Sequence, residues 1–165
     1  MFLQLASDFG TITEMGKAKS DCRQSGCPIA FTLDIFGDKW SILIVRDMIL
    51  NGKKHYGELL ESPERIASNI LADRLKRLEE ARIITKNPDP ENRKKYVYEL
   101  TQKGVDLLPL VLEAAIWGSK YIPENSTPKE FLRRLKKDRN AVTQEILESL
   151  RRKESILDRK HKLPF

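Results

Sequence analysis

The fold is decided by the stretch Ser68-Asn69-Ile70-Leu71-Ala72-Asp73-Arg74-Leu75-Lys76-Arg77-Leu78-Glu79-Glu80. Its leucines at positions 71, 75 and 78 follow the i, i+4, i+7 spacing of one helical face, which predicts an amphipathic helix. The opposite face carries Asn69, Asp73, Lys76 and Glu80, with Arg77 beside them. Such a face is typical of a solvated surface helix, so its meaning depends on the segments that follow.

Two β-prone runs follow this helix and are separated by a charged turn. Residues 82–86 form the first run and residues 95–100 the second. Residues 87–94 are rich in proline, asparagine and charged side chains, which is typical of a turn. The order helix, strand, charged turn, strand predicts a winged helix. In that fold the helix enters the major groove of DNA and the hairpin tip contacts the backbone beside it.

The residues before the stretch predict the other half of a helix-turn-helix. Pro28 suits the first turn of a helix that ends before Gly37, and Asp38 can cap a second helix over residues 39–50. Asn51-Gly52 is a stop signal. Residues 53–56 could form a small strand beside the hairpin, and residues 57–60 a short helix. Two helices joined by a tight turn are the helix-turn-helix arrangement.

The residues after the hairpin predict a long apolar helix. Thr101 can cap it, and it would run to about Tyr121. Its surface is apolar nearly all round, which is more than one small domain usually buries, so we expect a two-fold dimer contact. The alternative is a helix buried wholly within its own chain. Trp40 and Trp117 are predicted core residues, with an aromatic effector pocket as the alternative.

The whole chain is therefore predicted to be mainly α with a small β-hairpin wing. We divide it into an N-terminal arm (1–26), a winged helix-turn-helix domain with a dimerisation helix (27–122) and a C-terminal helical extension (123–165). In the extension, residues 123–128 read as a linker and residues 129–138 and 143–157 as two helices. Their basic residues fit solvated helix faces better than a further phosphate contact.

The net charge of +6 does not come from the predicted winged domain. Residues 1–127 hold 18 basic and 18 acidic side chains, whereas residues 128–165 hold 12 and 6. Phosphate contact is therefore indicated by local clusters and not by the overall pI. The clusters are Arg74, Lys76 and Arg77 on the helix, and Arg93, Lys94 and Lys95 at the wing.

Several classes of protein do not fit the sequence. No apolar run reaches 18 residues, and the first residues make a poor signal peptide. Cys22 and Cys27 make no disulfide framework, and no spacing of cysteine and histidine suggests zinc. Hydrolase and phosphate-loop motifs are absent. We expect a non-enzymatic cytoplasmic protein, associated with a bacterial nucleoid, with no cofactor, no metal and no membrane partner.

From Cys27 to about Tyr121 the chain resembles the HxlR family of bacterial winged-helix transcription regulators. The stretches that carry the resemblance are Cys27-Pro28, Gly37-Asp38-Lys39-Trp40, Tyr56-Gly57-Glu58-Leu59, Leu71-Ala72-Asp73-Arg74-Leu75, Leu78-Glu79, Tyr98-Glu99-Leu100-Thr101 with Gly104, and Trp117-Gly118. The resemblance implies a homodimer that binds double-stranded DNA at a palindromic operator. Where the family commonly has serine, lysine and threonine, this chain has Ala67, Asn69 and Ala72. These positions lie on or near the predicted DNA-facing surface, so the differences bear on which operator sequence is bound and not on DNA binding itself. Ser68 could replace the missing serine as the helix cap.

The predicted sites follow from this arrangement. We expect Ser68, Asn69, Asp73 and Lys76 to approach base edges, and phosphates to be held by Lys39, Arg74, Arg77, Arg93, Lys94 and Lys95. In several HxlR-like regulators the cysteine matching Cys27 senses oxidants or quinones. Its place at a helix start favours the thiolate, with Cys22 or a partner chain's thiol to form a disulfide. The alternative is a thiol that merely packs.

Two functions therefore compete at this point. One is a DNA-binding repressor or activator, with a small-molecule or oxidant effector. The other is a winged-helix module that binds protein without sequence-specific DNA binding. Salt dependence distinguishes them, because a protein that neutralises several phosphates loses affinity steeply as salt rises.

Overall fold

The computed structural model describes residues 26–122 and 127–152. The predicted arm therefore lies outside the described residues except for Gly26, as do Cys22, most of the predicted linker and residues 153–157 of the last predicted helix. The elements are, in order, α1 (Pro28–Phe36), α2 (Lys39–Leu50), α3 (Tyr56–Leu60), α4 (Ser68–Glu80), β1 (Ile84–Pro88), β2 (Tyr96–Leu100), α5 (Gln102–Val105), α6 (Leu108–Gly118), α7 (Lys129–Lys137) and α8 (Arg139–Arg151).

The chain divides between Asp34 and Ile35 into two units. In the first unit, the described residues include most of α1, which begins at Pro28 as predicted. No residue of α1 is buried, and the side chains of Ile29, Phe31 and Leu33 are exposed. The second unit holds the remaining elements.

The second unit is built around α2. This helix begins where the sequence predicts, because Asp38 accepts hydrogen bonds from the backbone N–H groups of Trp40 (2.9 Å) and Ser41 (3.1 Å). One continuous core gathers side chains from α2, α3, α4, the hairpin, α6, α7 and α8. Its most fully buried members include Val45, Ile49, Leu59, Leu71, Leu78, Ile83, Ile84, Leu108, Leu112 and Leu135.

The wing is a two-stranded antiparallel hairpin. β1 and β2 pair from Ile84 with Leu100 at the base to Pro88 with Tyr96 near the tip. The third strand that residues 53–56 could have formed is reduced to one bridge between His55 and Val97, supported by a 2.8 Å hydrogen bond from Tyr98 N–H to the Lys54 carbonyl. α3 begins immediately afterwards, at Tyr56, which leaves no length for a strand.

The prediction of a single helix from Thr101 to about Tyr121 is wrong. Thr101 does cap a helix, since its hydroxyl accepts from Gly104 N–H, but that helix, α5, ends at Val105 and α6 begins at Leu108. Pro109 is the reason. It has no N–H to donate to the carbonyl of Val105, and its ring would clash with that carbonyl in a continuous helix.

The C-terminal extension forms two helices, as predicted, but the second begins earlier. Asp138 accepts from Ala141 N–H at 2.9 Å and starts α8 at Arg139 instead of at residue 143. Leu135 of α7 and Val142 and Ile146 of α8 are buried in the common core. These helices therefore pack on the winged domain.

Candidate nucleic-acid interface

α4 places the predicted DNA-facing residues on one exposed surface. The helix spans Ser68–Glu80 and buries the three leucines of its apolar stripe, as predicted. Ser68, Asn69, Asp73, Lys76 and Arg77 are all exposed. The 13-residue helix is therefore anchored on one side and open to a partner along the other.

The start of α4 differs from the expectation for Ser68. The N-cap residue is Ala67, which offers no side-chain acceptor, and Ser68 is already the first helical residue. The carbonyl of Ser68 instead accepts a 2.7 Å hydrogen bond from the Tyr56 hydroxyl. This bond ties α3 to the first turn of α4.

Arg74 is turned toward the protein. Its Nε lies 2.9 Å from Oδ1 of Asp38, the residue that caps α2, and its guanidinium also pairs with Asp73. Pairing with Asp38 raises the pKa of Arg74. Burial raises the pKa of Asp38, but hydrogen bonds from Ser41 and the contact with Arg74 outweigh burial and hold that pKa below its ordinary value. This ion pair joins α4 to α2.

The exposed cations of α4 are paired along the helix. Arg77 Nε lies 3.3 Å from Asp73 Oδ2, and Lys76 Nζ lies 3.8 Å from Glu80 Oε1. With Glu79 as the third carboxylate, α4 carries as many acidic as basic residues. The helix therefore has no net charge that would attract phosphate.

The wing tip supplies the predicted basic cluster. Arg93, Lys94 and Lys95 are exposed between the two strands. The turn is shaped by Asp89, which accepts from the N–H groups of Glu91 (2.8 Å) and Asn92 (3.3 Å). An aspartate that bonds the backbone ahead of it is a common turn device.

His55 links the helix-turn-helix to the wing. It is the N-cap of α3, where the Glu58 carboxylate accepts from its N–H at 2.9 Å. Its Nδ1 lies 3.3 Å from the Tyr96 carbonyl and 3.8 Å from Oδ2 of Asp89. Lys39, the remaining predicted phosphate contact, is exposed with its Nζ 4.3 Å from the Trp40 ring centroid.

A buried carboxylate holds the turn before α4. Asp47 is 1 % exposed and binds Lys53 Nζ at 2.8 Å, Asn51 Nδ2 at 3.0 Å and the Ser62 hydroxyl. Arg46 pairs with both Asp47 and Glu64. Burial raises the pKa of Asp47, but the charge of Arg46 and the hydrogen bonds from Lys53, Ser62 and Arg46 lower it below its ordinary value.

Two further exposed cations, Arg65 and Lys86, lie on these elements and were not identified in the sequence. Arg65 is exposed in the turn before α4 and adopts a positive φ of 56°, which is uncommon for a residue other than glycine. The signal available in the sequence was Pro63, two residues earlier, which marks the turn that contains Arg65. Lys86 stands 4.2 Å from the centroid of the Tyr96 ring on the exposed part of the wing, a contact that depends on the strand register.

Cys27 lies in the first unit, immediately before α1. It is exposed, and its carbonyl accepts a 3.1 Å hydrogen bond from Phe31 N–H in the first turn of the helix. Its predicted place at a helix start is therefore confirmed.

Two open cavities lie beside α8, and neither is lined by a tryptophan. One of about 190 Å³ is lined by residues including Met48, Tyr98 and Leu150, and one of about 420 Å³ by residues including Val105, Pro109 and Leu147. Within residues 26–122 and 127–152, no cluster of histidine, cysteine and carboxylate side chains suits a metal ion. In the same residues, no helix is long and apolar enough to cross a bilayer.

Comparisons with known proteins identify the family. Residues 35–126 match the model of the HxlR-like helix-turn-helix family. The HTH-type transcriptional regulator sll1512 of Synechocystis, itself uncharacterised, is 32% identical, over 69% of this chain and 86% of its own length. The crystal structure of PA1607, described as a candidate transcription factor, is 36% identical with a TM-score of 0.59, over 67% of this chain and 80% of that one.

A further solved structure is that of the redox regulator HypR in its oxidised form. It is 32% identical, with a TM-score of 0.51, and the match covers 59% of this chain and all of that one. These likenesses confirm the winged-helix fold, with its α-helices and two-stranded wing, and the resemblance found in the sequence. The chain belongs to the HxlR-like helix-turn-helix family and is a DNA-binding transcriptional regulator.

Proposed function

We propose that the protein binds a palindromic operator as a homodimer, with α4 in the major groove and the wing tip on the adjacent backbone. The observation that carries this proposal is the exposed polar face of α4, anchored on the core side by its three leucines. Ser68, Asn69 and Lys76 approach base edges from this face. Asp73, expected from the sequence to do the same, acts there through its two arginine partners.

Phosphate contacts come mainly from outside α4. Lys39, Arg93, Lys94 and Lys95 are exposed and hold the backbone. Arg74 is assigned a different role from the one its sequence position suggested. Because two carboxylates already engage its half-buried guanidinium, it fixes α4 against α2.

The homodimer is supported by exposed apolar surface. On α6 and the residues just after it, the side chains of Leu110, Trp117, Tyr121 and Ile122 are exposed. The rings of Trp117 and Tyr121 lie 5.0 Å apart and form one aromatic patch. A contiguous apolar patch of this kind marks an interaction surface, and a second copy buries it symmetrically. The half-sites then lie about one DNA turn, roughly 10 base pairs, apart.

We further propose that oxidants or electrophiles act on the protein through Cys27. The support is its exposure at the start of α1 and the likeness of the chain to a redox regulator. A modification there alters the dimer and with it the distance between the two copies of α4. Such a regulator acts in the cytoplasm, at the nucleoid.

The experiment that tests DNA binding is selection of bound sequences from random DNA, followed by affinity measurements between 50 and 200 mM salt. A DNA-binding regulator enriches a palindrome and loses affinity steeply as salt rises. Failure to enrich any sequence, with affinity for DNA absent at 50 mM salt, would leave the wing and α4 as a surface for another protein.

A further inference from the structure

A chain of alternating charges runs from the start of α2 to the exposed face of α4. It begins at Asp38, passes through Arg74 and Asp73, and ends at Arg77. Arg74 Nε lies 2.9 Å from Asp38, Arg74 contacts Asp73, and Arg77 Nε lies 3.3 Å from the same Asp73 oxygen. On α4, the exposed fraction of the side chain is 18% for Arg74, 50% for Asp73 and 64% for Arg77.

The inner end of this chain is fixed. Asp38 accepts hydrogen bonds from two backbone N–H groups at the start of α2 and from the Ser41 hydroxyl at 2.7 Å. These donors fix the orientation of the Asp38 carboxylate, and the guanidinium of Arg74 forms an ion pair with it. Asp73 is therefore restrained by Arg74. A carboxylate in an ordinary exposed ion pair on a helix surface has no such restraint.

The outer end of the chain presents a donor pair. The carboxylate of Asp73 lies 3.3 Å from Nε of Arg77, which leaves the two terminal nitrogens of the guanidinium as further donors. Among the described residues, these nitrogens have no ion-pair or hydrogen-bond partner. Guanine is the base that offers two neighbouring acceptors, O6 and N7, in the major groove, and a guanidinium matches them with two parallel hydrogen bonds.

We propose that Asp73 is a positioning residue that aims Arg77 at a guanine in each operator half-site. Arg77 thereby determines specificity instead of holding a phosphate. The carboxylate adds a second effect, because an acidic group at the groove repels phosphates and weakens binding wherever Arg77 has no guanine to satisfy it. This inference rests on the proposed DNA binding and names the base that α4 reads.

The test compares the sequences selected from random DNA by the wild type, Asp73→Ala, Arg77→Ala and the double variant. The wild type is expected to enrich a guanine at one position in each half-site. Replacing that guanine by adenine should weaken wild-type binding by between about fivefold and 150-fold. Arg77→Ala should abolish this discrimination, and Asp73→Ala should reduce it at least about twofold. In the Arg77→Ala background, removal of Asp73 should have no further effect on discrimination at that position.

Glu80→Ala is the matched control. Glu80 lies on the same face and makes the same kind of i, i+4 ion pair, with Lys76, but has no link to Asp38. Loss of its charge is expected to leave the preference for that guanine intact, whatever its effect on affinity. Thermal unfolding of every variant checks that the substitutions leave the fold unchanged.

The outcomes separate this inference from the proposed function. A wild type that enriches no sequence overturns both. Enrichment of an operator with unchanged base preference in Arg77→Ala overturns the guanine assignment and leaves DNA binding standing. If Asp73→Ala leaves the preference for that guanine intact, as Glu80→Ala is expected to do, Asp73 is only one more surface charge.

Discussion

The hydroxyl of Tyr56 donates a 2.7 Å hydrogen bond to the carbonyl of Ser68, and so joins the short helix α3 to the first turn of α4. This turn has no side-chain cap, because Ala67 stands at the N-cap position. The bond from Tyr56 is therefore a side-chain restraint on the first turn of α4, which carries Ser68 and Asn69.

Tyr56→Phe removes this restraint while keeping the ring. We expect the free energy of unfolding to fall by about 0.5–1 kcal/mol, the lower part of the range for a hydrogen bond, because the site is partly exposed. Affinity for the selected operator should fall more than affinity for random DNA, since the first turn of α4 loses its fixed position. Urea unfolding and titration of labelled DNA measure the two effects.

Tyr96→Phe is the control for this substitution, because it removes a hydroxyl from the wing and keeps the ring against which Lys86 packs. It should change neither the free energy of unfolding nor the affinity for the operator. Equal operator affinity of Tyr56→Phe and the wild type would show that the bond to Ser68 does not position α4 on DNA.

The buried carboxylate of Asp47 makes stability depend on pH. Its pKa in the folded state is lowered, despite burial, by the charge of Arg46 and by the hydrogen bonds from Lys53, Ser62 and Arg46. Because the folded-state pKa lies below that of an unfolded aspartate, about 3.9, the stabilisation is complete above that pH. It is lost as the pH falls through the folded-state pKa. Urea unfolding between pH 7 and pH 3 should follow this loss.

Asp47→Asn tests the assignment. It leaves Lys53 and Arg46 without their shared carboxylate, and we expect a loss of about 3–5 kcal/mol at pH 7, as is found when one partner of a buried ion pair is removed. The acid-dependent loss of stability should be correspondingly smaller. Asp34→Asn, at an exposed position of α1, should alter neither the stability at pH 7 nor its loss in acid. An unchanged acid profile in Asp47→Asn would assign the pH dependence to other carboxylates.

The sequence predicted the helices whose apolar spacing and capping residues lie within the helix or directly beside it. The leucine spacing and the Asp38 cap are contained in a few neighbouring residues, and α2 and α4 have the predicted bounds. The break between α5 and α6 was missed because the apolar pattern continues through Pro109, although the proline itself was the signal. The burial of Leu135, Val142 and Ile146 depends on tertiary packing, which no local pattern shows.

The same distinction applies to the candidate site. Exposure of Asn69, Lys76 and the wing cations follows from the amphipathic pattern and the charged turn. The commitment of Arg74 to Asp38 does not, because these residues are 36 positions apart and meet only when α2 and α4 pack. The sequence therefore identifies the charged surface but not which cations are already engaged.

The wing lysines are expected to contribute affinity without specificity. Lys94→Ala combined with Lys95→Ala should weaken binding to all sequences alike and reduce the slope of log K against log salt by about 1 for each lysine that holds a phosphate. Fluorescence anisotropy at several salt concentrations measures this slope. Lys136→Ala combined with Lys137→Ala, two exposed lysines of α7, is the control and should leave the slope unchanged. Equal slopes for the wing variant and the wild type would show that the wing does not contact DNA.

The aromatic patch of Trp117 and Tyr121, at the end of α6, predicts the oligomeric state. Trp117 is 65% exposed, so Trp117→Glu should leave the monomer folded while introducing a charge into the proposed interface. We expect the wild type to sediment as a dimer at micromolar concentration and the variant as a monomer with weaker binding to the palindrome. Gln144→Glu adds the same charge at an exposed position of α8 and should remain dimeric. A monomeric wild type would refute the dimer and leave the patch for another partner.

The thiol of Cys27 is expected to couple oxidation to DNA binding. It is exposed at the start of α1, where backbone N–H groups favour a thiolate. Diamide should oxidise it with a second thiol to a disulfide, and a quinone should add to it directly. Either change should shift operator affinity of the wild type but not of Cys27→Ser. Cys22→Ser should retain the response to quinone, and its response to diamide shows whether Cys22 is the second thiol. Mass spectrometry must first establish that Cys27 is fully modified. If the modified wild type binds the operator as tightly as the untreated protein, Cys27 is no sensor, and the assignment of the protein as a transcriptional regulator is unaffected.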